Sequence, residues 1–248
     1  DVQAFLATMS DAGNVNGSPE TTAAKFAANA GIKISENSEF YANAAYVYKK
    51  VNSFANYRTP YWRTEAAFPY LADFFPNGPG GEYVGYVPTF EGDLNDYNGT
   101  IGVRNTTNGW ISDASFTVGG NRQTYIVSNS HNRSDVLNAD GTNKYQENSP
   151  LVFDVGGTEF KHFVGNIDVT KRISDMFGFA FGSEFRSETF TVIEGSESAY
   201  EGGGPDSFSG TDPRNAGKFN RYNFGGYADF AMDFTEDFLV NATARVEN

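Results

Sequence analysis

Apolar and polar residues alternate with a period of two along much of this chain. In MFGFAFGSEFRSETF (176–190), Phe177, Phe179, Phe181 and Phe185 hold one parity, while the glycines and charged residues hold the other. Successive side chains of a β-strand point to opposite faces, so the pattern predicts a strand with one apolar and one polar face. Comparable stretches begin at Ala24, Phe40, Tyr97, Trp110, Phe163, Tyr222 and Phe238, with weaker alternation after Trp110. Together they predict about eight strands.

The predicted strands are long for a soluble domain. Most span roughly nine to eighteen residues, whereas strands of soluble domains usually have about five or six. A tilted strand needs about nine to eleven residues to cross the hydrocarbon core of a bilayer. The lengths therefore favour strands that span a membrane.

The connections between these strands alternate between short and long. Short polar links lie near Glu36, Thr107, Ser174 and Glu236, and long segments rich in Gly, Pro, Asn and Ser cover 51–96, 128–159 and 194–218. Successive antiparallel strands turn at opposite ends, so the short links share one end of the sheet and the long loops the other. Outer-membrane barrels have this asymmetry, with short periplasmic turns and long outer loops. The Gly-rich stretch EGSESAYEGGGPDSFSG within the last segment predicts a mobile outer loop.

Two all-β architectures fit such a pattern. A soluble or surface β-sandwich that binds glycan or protein also shows alternation, but its core stripes are mostly Val, Ile and Leu. Here the stripes are rich in Ala and Phe, and the loops alternate in length. The prediction is a membrane-spanning antiparallel up-and-down β-barrel, of which this chain supplies about eight strands, with the sandwich as the alternative.

Composition excludes several classes of function. The chain has no cysteine and only two histidines, His131 and His162, neither in a spacing that a metal or a catalytic triad requires. A net charge of -13 repels phosphate backbones, so no nucleic-acid partner is expected. No serine lies in a recognisable nucleophile setting, so a barrel enzyme such as a lipase is the least favoured reading and no enzyme activity is expected.

The two ends of the chain carry little targeting information. The opening residues, DVQAFLATMS, lack the basic region and cleavage site of a signal peptide. The final residues, FLVNATARVEN, stop within an alternating pattern. Both ends are therefore expected to be cuts through a longer protein.

Four blocks of sequence resemble the barrel domain of TonB-dependent outer-membrane receptors. They are TIGVRNTTNGWISDASFTVGGNRQTYIVSNSHNRS from Thr100, FKHFVGNIDVTKRI from Phe160, FGFAFGSEFRSETFTVIEGSESAYEGGG from Phe177 and RYNFGGYADFAMDF from Arg221. The order of the blocks carries the resemblance more than any single block. It implies a barrel of about 22 strands around a plug domain, of which residues 1–248 would be a portion of the barrel without the plug.

The resemblance also implies a function and a location. It implies an active transporter in the bacterial outer membrane, with its long loops extracellular, that takes up an iron chelate, cobalamin, an oligosaccharide or a peptide. The implied partners are outer-membrane lipid, a periplasmic TonB-type energy-coupling complex, the nutrient and, as an open option, a surface lipoprotein. No cofactor is expected.

Parity divides the strand residues into two groups. The group expected to face the lumen is Lys25, Asn29, Asn166, Asp168, Glu184, Arg186, Glu188, Asn223, Asp229 and Arg245. The group expected to face lipid is Phe177, Phe179, Phe181, Phe224 and Phe230. The charged residues of the first group can pair along one wall, and this structural role is favoured over the paired carboxylates of a glycosidase.

The first long loop concentrates aromatic residues. Its candidate ligand contacts are Tyr57, Tyr61, Trp62, Phe68, Tyr70, Phe74 and Phe75. Exposed aromatic rings in a loop mark a ligand or partner surface, although rings of this kind also pack on the loop's own fold. Trp110, beside a short link, is expected in the aromatic belt at the periplasmic side.

A calcium loop of the EF-hand type is not expected. In DVLNADGTNKYQE, aligning Gly141 with the invariant glycine puts Asn138, Asp140 and Glu147 at ligand positions, but Val136 fills the first one. The stretch EGDLNDYNGT fails the same comparison. No metal site is predicted, while an irregular calcium site in these loops stays open.

Overall fold

A computed structural model describes residues 2–8 and 17–248 of the chain. Eight strands form one antiparallel sheet in which every strand pairs with its neighbours in sequence. Their bounds are β1 Glu20–Lys33, β2 Ser38–Phe54, β3 Thr89–Thr107, β4 Trp110–Ser128, β5 Val152–Arg172, β6 Phe177–Ile193, β7 Gly217–Thr235 and β8 Phe238–Glu247. The predicted all-β, up-and-down architecture of eight strands is confirmed.

Helices are few and short. They are α1 Val2–Thr8, α2 Leu71–Phe74 and α3 Glu197–Tyr200, with single 3-10 turns at Gln146–Asn148 and Pro213–Asn215. None of the helices among the described residues is long and apolar enough to cross a membrane. Positions 1 and 9–16, which include the end of the opening stretch DVQAFLATMS, lie outside the described residues.

The register carries each face across the whole sheet. Directly opposed residues share a face, and one such row contains Ala30, Ala42, Ile101, Phe116, Gly165, Phe185 and Phe224. The adjacent row, on the other face, contains Asn29, Asn43, Thr100, Thr117, Val164, Arg186 and Asn223. We call the first the outer face. The second, against which part of the long third loop folds, is the inner face.

Burial is inverted relative to a soluble sheet. On the outer face Phe185 and Phe224 are 49% and 60% exposed, whereas the inner-face side chains of Glu184 and Glu188 are only 16% and 14% exposed. Within the described part of the chain, strands contact their sequence neighbours and no second sheet covers the outer face. The two-sheet sandwich is therefore wrong as a description of this fold.

Short and long connections alternate as the sequence predicted. The links at 34–37, 108–109, 173–176 and 236–237 are short, and loops 1, 2 and 3 at 55–88, 129–151 and 194–216 are long. Asn108 and Gly109 have φ of 53° and 76°, which is the left-handed backbone of a two-residue hairpin turn. Asparagine and glycine tolerate this conformation best, so the turn sets the β3–β4 register.

The strands extend further toward the loops than predicted. The predicted loop at 51–96 shortens to 55–88, that at 128–159 to 129–151 and that at 194–218 to 194–216. The uncertain strand around Ile101 has 19 residues. EGDLNDYNGT is thus a strand segment, because its polar residues pair with β2: Tyr48 donates to Asp93 at 2.9 Å and Tyr46 to Asn95 at 2.7 Å.

The apolar side of the sheet changes face near its loop end. Toward the short turns the outer face is mainly apolar. Toward the long loops it carries ion pairs, Lys50 with Glu91 and Lys161 with Glu159, each at 2.9 Å. The inner face changes in the opposite sense and becomes largely apolar. Its apolar residues at this level are Phe90, Leu94, Tyr125, Val127, Phe153, Phe160, Phe190 and Phe219. The β5–β6–β7 pairing has no register shift here, so the change comes from the residues rather than the backbone.

The described core lies at this loop end and not in the middle of the sheet. Inner-face residues Val127, Phe153 and Val155 form one buried cluster with Ala199 of α3. Phe208 of loop 3 packs edge-on against Phe90 with ring centroids 5.3 Å apart. Loop 3 thus covers part of the inner face, which accounts for apolar residues there.

A pair of arginine substitutions at similar depth tests the two faces. We expect Phe185→Arg, on the outer face near the middle of the apolar band, to destabilise the full-length protein in a bilayer by about 2–4 kcal/mol. Asn166→Arg is its control, because that inner-face position lies opposite Glu184, and we expect it to cost less than about 1 kcal/mol. Urea unfolding in lipid vesicles measures both; equal losses would contradict the face assignment.

Candidate functional site

The inner face carries a chain of ion pairs across β6, β7 and β8. Glu184 contacts Arg186 at 2.9 Å and Arg245 at 3.4 Å, and Arg186 lies 3.9 Å from Glu188. Arg221 closes the end of the chain on Glu188 at 2.5 Å. We call these five residues the charge ladder. The electrostatic pairing predicted for Glu184, Arg186 and Glu188 is therefore present.

Two tyrosines reach across glycines to neighbouring aspartates. Tyr41 lies over Gly102 and donates to Asp113 at 2.7 Å. Tyr227 lies over Gly182 and donates to Asp168 at 2.6 Å. A Cβ at either glycine would come within 2.5 Å of a tyrosine ring atom. Asp113 and Asp168 are directly opposed on β4 and β5, so these contacts hold two carboxylates side by side in the centre of the inner face.

All ten residues expected to face the lumen lie on the inner face, and the five expected to face lipid lie on the outer face. Four of the ten, Glu184, Arg186, Glu188 and Arg245, meet in the charge ladder. Lys25 and Asn29 lie on β1, several strands away from the ladder. That these faces meet lumen and lipid stays a prediction.

The three long loops pack together into a cap around the carboxylate of Asp206. Arg63 of loop 1 binds it through two contacts of 2.6 and 2.9 Å, and Arg133 of loop 2 binds it at 3.2 Å. Tyr86 of loop 1 donates a further hydrogen bond of 2.8 Å. Arg58 donates to the Asp206 backbone carbonyl at 2.9 and 3.1 Å. One residue of loop 3 thus joins all three loops.

Electrostatics hold this carboxylate ionised. Burial alone would raise the pKa of Asp206, but the hydrogen bonds from Arg63 and Tyr86 outweigh burial and leave the pKa well below its usual range. Burial raises the pKa of the Tyr86 hydroxyl, and the neighbouring Asp206 carboxylate raises it further. The hydroxyl therefore stays protonated and acts as a donor. The Arg63 and Asp206 side chains are each only 8% exposed, so both charges depend on this pairing.

His131 is enclosed by aromatic rings beside this network. Phe68, Tyr70, Phe75 and Tyr86 surround the imidazole with ring centroids 5.6 to 6.4 Å away. Its Nδ1 lies 3.1 Å from the Tyr86 hydroxyl, whose proton goes to Asp206, so Nδ1 is assigned as the protonated donor. Burial in this apolar cage lowers the pKa of His131 to about 4.

A second set of contacts ties loop 2 to loop 3. The Asn132 amide donates to the Ser198 and Glu201 carbonyls at 3.0 and 2.9 Å. Lys144 contacts the Glu201 carboxylate at 2.6 Å, and the Tyr145 hydroxyl donates to it at 2.7 Å. Loop 3, predicted from its glycines to be a mobile outer loop, is hydrogen-bonded to both of the other loops.

The structure separates the seven aromatic residues proposed as ligand contacts. Phe75 is 1% exposed and stacks on Tyr86 at 4.0 Å, and Tyr57 is 7% exposed with its hydroxyl donated to the Val84 carbonyl. For these two the expectation of a ligand contact is corrected, because both rings belong to the core of loop 1. Phe68, Tyr70 and Phe74 pack partly buried against that core.

Of the seven, Tyr61 and Trp62 are the most exposed, at 62% and 58%. The guanidinium of Arg63 lies 4.0 Å above the Trp62 ring and that of Arg58 lies 5.3 Å from it. Trp62 is therefore a stacked aromatic surface beside the Asp206 network. Sequence reasoning missed Arg63, Tyr86 and Asp206 themselves, because no local spacing signals that three distant loop residues meet.

The candidate calcium ligands form local hydrogen bonds, and Trp110 lies beside a short turn. Asp140 accepts hydrogen bonds from the Thr142 amide and hydroxyl at 3.0 and 2.6 Å, and Glu147 accepts from Asn143 at 3.1 Å. Over residues 2–8 and 17–248, no group of three or more His, Asp or Glu side chains is arranged to hold a metal ion. Trp110 begins β4 next to a short turn, with Lys171 5.0 Å from its ring.

The sequence has no detectable match to a known protein family or to a curated protein. The fold is similar to that of the copper transporter OprC, with a TM-score of 0.55 and 10% identity over 91% of this chain and 31% of OprC. The toluene transporter TodX of Pseudomonas putida aligns over 92% of this chain and 55% of its own, at 10% identity and TM-scores of 0.37 and 0.35 in two structures. The chain spans about a third of the length of OprC. The fold is thus a partial β-barrel of the outer-membrane transporter type.

Substitution of Asp206 tests the organisation of the cap. We expect Asp206→Asn to open all three loops, because it leaves Arg63 buried without its counter-charge, a loss of about 3–5 kcal/mol. Asp212→Asn is the control in the same loop: its partner is the exposed Arg214, only two residues away, and we expect loop protection close to that of the wild type. Amide hydrogen exchange at 129–151 and 194–216 measures both, and unchanged protection in Asp206→Asn would contradict the arrangement.

The cap should also loosen in mild acid. The folded pKa of His131 is about 4, below an unfolded value of about 6.5. The stability from keeping this ring neutral is full above pH 6.5 and declines as pH falls to about 4, while Asp206, with its depressed pKa, still contributes. Protection factors in loop 2, which are corrected for the intrinsic pH dependence of amide exchange, should therefore fall as pH falls through this window. His131→Gln should remove this pH dependence. If the dependence persists in the variant, another titrating group causes it.

Proposed function

We propose that this chain is part of the barrel of an outer-membrane transporter that takes up a nutrient. The observation that best supports this function is the combination of an exposed apolar outer face, an ion-paired inner face and a folded cap at one end of the strands. Apolar residues facing lipid and charged residues facing a water-filled interior are what a membrane barrel requires. The similarity to the OprC fold supports the same proposal.

The proposal includes an orientation. The short turns lie on the periplasmic side and the cap of loops 1, 2 and 3 on the extracellular side, as in barrels of this type. Tyr46, Tyr48 and Tyr97 lie where the outer face changes from apolar to charged, which suits the aromatic belt of the outer leaflet. Trp110 then belongs to the belt of the inner leaflet.

Energy coupling and the plug rest on the resemblance of four sequence blocks to TonB-dependent receptors. On that basis residues 1–248 are a portion of a larger barrel, and a plug domain elsewhere in the full-length protein occupies its lumen. A TonB-type complex supplies the force that moves the plug. The charge ladder provides polar partners for such a plug, and a surface lipoprotein contacting the cap remains within this proposal. The protein carries out no covalent chemistry in this scheme.

The cap offers the first contact for the nutrient. Tyr61 and Trp62 present open rings, with Arg58 and Arg63 beside Trp62. Rings and guanidinium groups together bind planar or anionic ligand groups. Iron chelates, cobalamin, oligosaccharides and peptides all remain within the proposed cargo class.

Cysteine labelling tests the location and orientation, since the chain has no native cysteine. Ala139 is exposed in loop 2 and Glu36 is exposed in the turn after β1. In intact cells expressing the full-length protein, we expect a membrane-impermeant maleimide to label Ala139→Cys. Glu36→Cys should react only after the outer membrane is permeabilised. Equal labelling of both, or recovery of the protein in the soluble fraction, would reject the proposal.

Import itself is tested by growth. A strain lacking the full-length protein is grown on single iron chelates, cobalamin, oligosaccharides and peptides. We expect the strain not to grow on one class of nutrient. The wild-type gene should restore this growth, and the gene carrying Trp62→Ala should restore it less fully. Growth equal to the parent strain on every nutrient of the panel would contradict an import function for these classes.

A further inference from the structure

Three phenylalanines stand side by side on the inner face. Phe160 of β5, Phe190 of β6 and Phe219 of β7 are direct cross-strand partners in one row. Neighbouring strands lie about 4.8 Å apart, so the three rings form an apolar strip about 10 Å wide. We call these three residues the phenylalanine strip. They lie on the face that carries the charge ladder, one step closer to the cap.

The strip differs from the other apolar residues at this level because the cap leaves it open. Phe90 and Tyr125 are packed against the loop-end core, and Phe208 lies on Phe90. Phe190, in contrast, is 42% exposed although its strand is paired on both sides. Loop 3 follows β6 and precedes β7, yet it does not cover these rings. This aromatic surface is left uncovered by the cap and lies directly beside the polar charge ladder, an arrangement that points to a ligand.

A groove follows the strip. Its volume is ≈ 310 Å³ and its walls are the three phenylalanines together with Glu188, Asn220 and Arg221. This size lies at the lower end of the range for small-molecule pockets, about 300–1,000 Å³. A groove of this volume accommodates a ring system of one or two rings.

The charged wall of the groove favours an anion. Both contacts of Arg221, at 2.7 and 2.5 Å, go to the same oxygen of Glu188, which leaves the other guanidinium donors free. Glu188 also lies 3.9 Å from Arg186, but Arg186 is closer to Glu184, at 2.9 Å, so the free donors at this end of the ladder belong to Arg221.

We propose that the phenylalanine strip and Arg221 bind a small organic anion that carries a flat ring system, such as an aromatic carboxylate. The ring lies on Phe190 and Phe219, and the carboxylate accepts hydrogen bonds from the free donors of Arg221. The inference rests on the proposed function, because the inner face must line a water-filled entrance for a ligand to reach the groove. It adds a position and a ligand chemistry that the cap alone does not define.

Binding of 2-naphthoate tests this site directly. The full-length protein is placed in lipid nanodiscs, and binding is measured by isothermal titration calorimetry with empty nanodiscs as the blank. We expect Arg221→Gln to weaken 2-naphthoate binding at least tenfold, because it removes a charge-assisted hydrogen bond. The uncharged analogue 2-naphthalenemethanol should bind wild type and Arg221→Gln equally, within about twofold.

Two substitutions on β7 separate the strip from the bulk properties of the barrel. Phe219→Leu keeps an apolar side chain but removes the ring, and we expect it to weaken both compounds about three- to tenfold. Phe224→Leu lies five residues along the same strand on the outer face, and we expect unchanged binding. Circular dichroism verifies that each variant retains its strand content.

The outcomes distinguish this inference from the transporter proposal. If labelling places the cap outside the cell but wild type does not bind 2-naphthoate at millimolar concentration, the ligand site is wrong and the barrel proposal stands. Equal affinities in wild type, Arg221→Gln and Phe219→Leu would also overturn it, since binding would then be to lipid or another surface. If the labelling pattern itself fails, the proposed function fails first.

Discussion

The continuous cross-strand pairing from β1 to β8 is the interaction on which the other features depend. Strands β2 to β7 pair with a neighbour on each side, and β1 and β8 pair on one side within the described residues. The register shifts, at Tyr125/Ile126 and Asp233/Thr235, lie near strand ends. Period-two side chains can then form continuous faces across strands. A one-residue slip in any pair would move phenylalanines onto the ladder side and arginines toward lipid. The Asn108–Gly109 turn contributes directly to preventing such a slip.

The sheet has two regions whose faces differ in polarity. In the lower part, charged groups are covered by one another and aromatic rings are exposed, as a bilayer requires. In the upper part, ion pairs such as Lys50–Glu91 face outward and apolar residues face the cap, as water requires. Asp206 is the link between the loops because its carboxylate has partners in loops 1 and 2. The uncovered phenylalanine strip lies where these two regimes meet.

The sequence was sufficient for the strands and for their faces because those depend on local periodicity. Phe177 to Arg186, for example, alternates strictly, and each residue lies on the face that its parity predicts. Strand ends were harder, since segments such as Glu91–Thr100 are polar on both sides and become strand only through pairing with β2. The Asp206 network in the cap could not be predicted, because Arg63, Arg133 and Asp206 are far apart in sequence. The aromatic residues of loop 1 were predicted as a group, whereas only folding decides that Phe75 is buried and Trp62 open.

The change of face also has a mechanical consequence. Ionised side chains begin on the outer face near the long loops on β2, β3, β4, β5 and β7. In the proposed membrane setting they limit how deeply the sheet can sink, and the phenylalanines below limit how far it can rise. Each ångström of mismatch between this band and the bilayer costs fractions of a kcal/mol. Under the proposed function, the wall of the sheet itself would therefore set the height of the extracellular cap above the lipid.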